Sequence, residues 1–138
     1  MIEISAVADV ARVQARERPG EVALWHDGRQ TTYAELDALS SRCANALIAA
    51  GIRPGDHVGV LAKGNDDFFI LWMGALKARA CLTPVNWRLA PPEIAFILKD
   101  AGARYGVRVL LQIHSHDEEF EFMTKEEVVD SARSPRTH

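Results

Sequence analysis

Val58-Gly59-Val60-Leu61-Ala62 is apolar from end to end. A strand with one wet face alternates polar and apolar residues. An unbroken apolar run reads instead as a strand covered on both faces. Downstream, Asn65 is placed to cap a helix running from Asp66 to about Ala78. Its stretch Phe68-Phe69-Ile70-Leu71-Trp72-Met73 is apolar nearly all round, which predicts deep packing. Cys81-Leu82-Thr83-Pro84-Val85 reads as another buried strand or strand end. Pro91-Pro92-Glu93 opens another helix, with proline and an acid where the first turn favours them. Ile94, Ile97, Leu98 and Ala101 form its apolar face, and Gly102 ends it. Tyr105 to Ile113 is strand-like, through Val107, Val109, Leu111 and Ile113. Strand and helix therefore alternate, which predicts an α/β fold with a mainly parallel sheet and flanking helices.

The pattern upstream is more local. Residues 7–18 read as a surface helix with Val7, Val10 and Ala11 on one face and Pro19-Gly20 as its stop. Val22-Ala23-Leu24-Trp25-His26 is a short strand, Asp27-Gly28-Arg29 a turn, and Gln30-Thr31-Thr32 the returning strand of a hairpin. Thr32-Tyr33-Ala34-Glu35 is a capping box, so a helix should start there and run to about Ala50. Leu36, Leu39, Cys43 and Leu47 make its apolar stripe. Gly51 suits the left-handed position after its end, and Pro54-Gly55-Asp56 turns the chain.

The chain has 138 residues, 48% hydrophobic and 25% charged, the balance of one soluble globular domain. No apolar run approaches the roughly 18 residues that a membrane-spanning helix needs. Met1-Ile2-Glu3-Ile4-Ser5 carries an acid where a signal peptide carries base, so a cytoplasmic location is expected. Cys43 and Cys81 lack any metal-type spacing and read as small buried hydrophobes. The net charge of −3 is uneven. Residues 113–138 hold seven acids and three bases and are expected to form an acidic, mobile tail, with the domain proper in residues 1–112. No cluster of basic residues supports nucleic-acid binding.

Two segments are more specific than the pattern. Thr32-Tyr33-Ala34-Glu35-Leu36 and Leu76-Lys77-Ala78-Arg79-Ala80-Cys81-Leu82-Thr83-Pro84-Val85-Asn86 resemble the first two core motifs of the adenylate-forming, AMP-binding superfamily. Between and beyond them, Gly51-Ile52-Arg53-Pro54-Gly55-Asp56 and Pro84-Val85-Asn86-Trp87-Arg88-Leu89 fit the same family. The Asn-Trp-Arg-Leu text looks most like the acyl-CoA synthetase branch. The resemblance spans about residues 6–105 and implies a partial N-terminal domain of such an enzyme. Read from the residues alone, both motifs are scaffold: a helix cap, and a tight helix-to-strand turn. One position departs. The family usually carries glycine where this chain has Arg79. Arginine in a left-handed helix end is expected to strain that turn by about 1 kcal/mol.

The resemblance implies a two-step acid–thiol ligation. A carboxylate attacks the α-phosphate of ATP to give an acyl-adenylate and pyrophosphate. The CoA thiol then attacks the adenylate, giving a thioester and AMP. Carboxylic acid, ATP, Mg²⁺ and CoA are thus implied for a full-length relative, and no cofactor for this chain by itself. The family's phosphate loop, its Tyr-Gly-x-Thr-Glu segment and its C-terminal lysine segment are absent from these 138 residues. Lys63-Gly64-Asn65 lacks the phosphate-loop pattern. The chain is therefore expected to stop before the catalytic motifs. No catalytic residue is assigned. The family resemblance points to Arg88 as a contact to the CoA phosphates. A catalytically inactive interaction module is the other function class left open, and apolar faces left uncovered would favour self-association.

The tail carries His114-Ser115-His116 and, five residues on, Glu121. A strand would put both histidines on one face beside a carboxylate, a weak metal candidate. The glycine and later histidine of a cupin-type site are missing, so a solvated acidic segment is the expected reading. Thr124 with Glu127 is placed to cap a short helix to Asp130.

Overall fold

The structure, a computed structural model, describes residues 4–62, 66–86, 88–108 and 122–123. A 3₁₀ turn at Val7–Asp9 leads into α1 (Val10–Glu17). The hairpin β1 (Val22–His26) and β2 (Arg29–Thr32) follows, then α2 (Tyr33–Ala49). The remainder is β3 (His57–Ala62), α3 (Asp66–Lys77), β4 (Cys81–Asn86), α4 (Pro91–Asp100), β5 (Ala103–Arg108) and β6 (Phe122–Met123). The main sheet has the order β4-β3-β5-β6. β3 runs parallel to both β4 and β5, and β6 closes on β5 antiparallel. The fold is α/β with a mainly parallel sheet, as the alternation of elements predicts.

The continuous apolar run of β3 is explained by cover on both faces. Val58 and Val60 point into a core with Cys43, Leu47, Leu71 and Ala75, from α2 and α3. Leu61 points the other way, into Val85, Ile94, Leu98 and Ala103, and so towards α4. Gly59 shares that second face. A Cβ there would sit 2.1 Å from Leu98 Cδ2, so the missing side chain lets α4 lie close. α2 and α3 approach closely at Gly74, where a Cβ would meet Cys43 Cβ at 2.6 Å. A third cluster, Ala11, Leu36, Ile70 and Met73, joins α1, α2 and α3.

Turn chemistry sets the joints. Asp27 and Gly28 both have positive φ, 50° and 77°, and His26 pairs with Arg29. That is the two-residue hairpin turn whose twist suits flanking strands. Thr32 Oγ1 accepts from the Glu35 N–H at 3.2 Å, and Glu35 Oε2 accepts from the Thr32 N–H at 2.8 Å, so the capping box of α2 is complete. At the other end Gly51, at φ 93°, donates to the Ile48 carbonyl while Ile52 donates to Leu47. Buried Ile52 then packs in the same core as Leu47.

Four sequence expectations are corrected. β4 is not a buried strand: it lies at the edge of its sheet, so Cys81 and Pro84 are exposed and only Val85 is buried. Val7 is exposed; Ala11 is buried and Val10 half-buried as expected, and α1 buries Val13 as well. The 3₁₀ turn winds 120° per residue, so Val7 falls out of phase with the α-helical face. α3 is not covered all round: Phe69 and Trp72 are 46% and 37% exposed, their rings edge to face at 6.2 Å. The last parallel strand starts at Ala103 rather than Tyr105, directly after the Gly102 turn. Its expected continuation through 109–113 lies outside the described residues, as do the Asn65 cap and the Thr124–Asp130 helix. Among the described residues no helix is long and apolar enough to cross a membrane.

Candidate functional site

The strand order β4-β3-β5 reverses direction about β3. α3 covers one face of that sheet and α4 the other. Such a switch opens a crevice outside the carboxyl ends of the strands, the usual ligand position in open α/β sheets. The loop after β4 reaches this edge, and it carries Arg88. Here Asn86 Oδ1 accepts from the Arg88 N–H at 3.0 Å, a local side-chain turn that sets the course of the loop. Arg88 itself is exposed. α4 then starts with Glu93 Oε2 accepting from the Ala90 N–H at 2.9 Å. The carboxyl edge is thus built by short-range hydrogen bonds around an exposed arginine.

Two ionic clusters were not legible as sites in the sequence. Asp66 and Asp67, in the first turn of α3, are both buried. Arg29 of the hairpin grips Asp66 with two bonds, Nε to Oδ2 at 2.8 Å and a terminal nitrogen to Oδ1 at 2.6 Å. Asp67 Oδ1 lies 3.9 Å from the same guanidinium. The hydrogen bonds to Asp66 raise the Arg29 pKa further, against the opposing effect of burial. The forked geometry fixes the hairpin to the helix start, where the helix dipole also favours acids. The second cluster is Lys77, at the end of α3. Its Nζ donates to Asp37 Oδ1 at 2.6 Å, to Ser41 Oγ at 2.9 Å and to the Asp37 carbonyl at 3.0 Å. It ties α3 to α2. The only signal for either cluster was a charged residue beside an apolar run.

The two oxygens of Asp66 are already held by Arg29, and Lys77 is held by α2. Among the described residues no group of three or more His, Cys, Asp or Glu could hold a metal ion. Burial pushes the Cys43 thiol up to about 12, away from the reactive thiolate. Cys81 is exposed and both cysteines are free. His114, His116 and Glu121, the weak metal candidates, lie outside the described residues, and so does Lys63-Gly64-Asn65.

Comparison with known proteins agrees with the fold. The family model described as "AMP-binding enzyme" matches residues 11–137. The match runs well past Arg104, where the resemblance read from the motifs stopped, and takes in most of the acidic segment. The chain is 37% identical over 102 residues to the fatty acid–[acyl-carrier-protein] ligase ScoC of Streptomyces coeruleorubidus, covering 74% of this chain and 20% of that protein. It is 47% identical over 73 residues to the long-chain-fatty-acid–CoA ligase FadD13 of Mycobacterium tuberculosis, covering 53% and 14%. In structure it is similar to the N-terminal domain of FACL13 from Mycobacterium tuberculosis, with a TM-score of 0.73 at 28% identity, covering 96% of this chain and 37% of that one. The chain thus spans a fifth or less of the length of these two curated relatives.

Proposed function

Because the chain belongs to the AMP-binding enzyme family, we propose that it is the N-terminal scaffold of an acid–thiol ligase acting on fatty acids. The observation that carries this reading is the family match over residues 11–137 on an α/β core like that of the FACL13 N-terminal domain. The relatives with matching text join fatty acids to CoA or to an acyl-carrier protein, so the shared chemistry is activation of a carboxylate for attack by a thiol. The reaction would consume ATP, with Mg²⁺ balancing phosphate charge, and release pyrophosphate and then AMP. The role of this segment is mechanical. β3, β4 and β5 hold the carboxyl-edge loops, and Arg88 on one of them would pair with the CoA phosphates. The reading places the phosphate-gripping motifs outside the chain, which makes the chain inactive alone. Two free thiols fit a cytoplasmic setting.

The test has two arms. The 138-residue chain alone should show ATP–pyrophosphate exchange at background with a panel of fatty and aryl acids. Acid-dependent exchange above background would overturn the claim of inactivity. Grafted in place of the matching segment of a fatty-acid–CoA ligase, residues 11–108 should sustain acyl-CoA formation. In that chimera Arg88→Ala should raise the KM for CoA and leave adenylate formation unchanged. A folded chimera that forms no adenylate would refute the scaffold reading.

A further inference from the structure

We draw no further inference here: the strongest candidate, the exposed aromatic stripe of Phe69 and Trp72 on the outer face of α3, carries nothing because no feature of the structure shows what covers it.

Discussion

Arg79 sits where backbone geometry asks for glycine. Its φ is 61°, in the left-handed region, and its N–H donates to the Leu76 carbonyl while Ala80 donates to Ala75. That hydrogen-bond pair closes α3 in the same way that Gly51 closes α2. An L side chain in this conformation costs roughly 1–2 kcal/mol, from which glycine's greater freedom in the unfolded chain subtracts. Arg79→Gly should therefore stabilise the fold by about 1 kcal/mol, read as a higher denaturant midpoint with an unchanged slope. The turn is worth the strain because it is buttressed: the Arg79 carbonyl accepts from Gly55 at 2.9 Å, and Cys81 donates to Asp56 at 2.8 Å. Cys43 gives a second residue-level test. Burial raises its pKa from 9.0 to about 12, so the folded state holds the proton more tightly than the unfolded state. Its contribution is intact below pH 9 and is lost as pH rises towards 12. By pH 10 the loss should be about 1 kcal/mol relative to neutral pH. Urea melts at pH 7.5 and pH 10 should show that decline, and Cys43→Ala, whatever its own stability, should flatten it.

At the scale of elements, what was legible depended on sequence distance. The capping box of α2, the Asp27-Gly28 turn and the Gly51 and Gly102 helix ends are each written within a few residues, and each formed. Val7 was misplaced on the face of α1 because one 3₁₀ turn changed the helical phase, which single-period counting does not resolve. The Arg29–Asp66 clamp joins residues 37 apart. Its partners could not be matched from the sequence, because strand order and hairpin placement decide which charges meet. The carboxyl-edge position of Arg88 depended on strand order in the same way. The clamp makes a sharp prediction. Arg29→Ala would leave Asp66, 1% exposed at its side chain, without its bidentate partner at a helix start. The cost should be about 3 kcal/mol, near the low end for a broken buried pair because Arg29 keeps about a third of its side chain in water. Thermal melts would show it. Arg29→Lys should recover only part of the loss, since an ammonium does not reproduce the fork.

For the whole molecule, the question is how much of the chain the α/β layer needs. β3 is flanked by β4 and β5, and helices already cover both faces of that three-stranded core. β6 adds a two-residue antiparallel pairing, Gly106 with Met123 and Val107 with Phe122, on the outer edge of β5. The family match through residue 137 makes the 113–138 segment part of the family's text, so its acidity alone does not mark it as foreign. The energetic share of β6 is nevertheless small. One or two ladder hydrogen bonds contribute about 0.5–1.5 kcal/mol each, and ordering the backbone on both sides opposes them. Deleting residues 114–138 should keep the far-ultraviolet helix signal and a single cooperative transition. The midpoint should fall by no more than about 2 kcal/mol of stability. The exposed edge of β5 should also make the shortened chain more prone to associate than the intact one, in a concentration-dependent way. Loss of the cooperative transition would instead show that residues 114–138 belong to the core, and that the boundary near 113 divides charge but not structure.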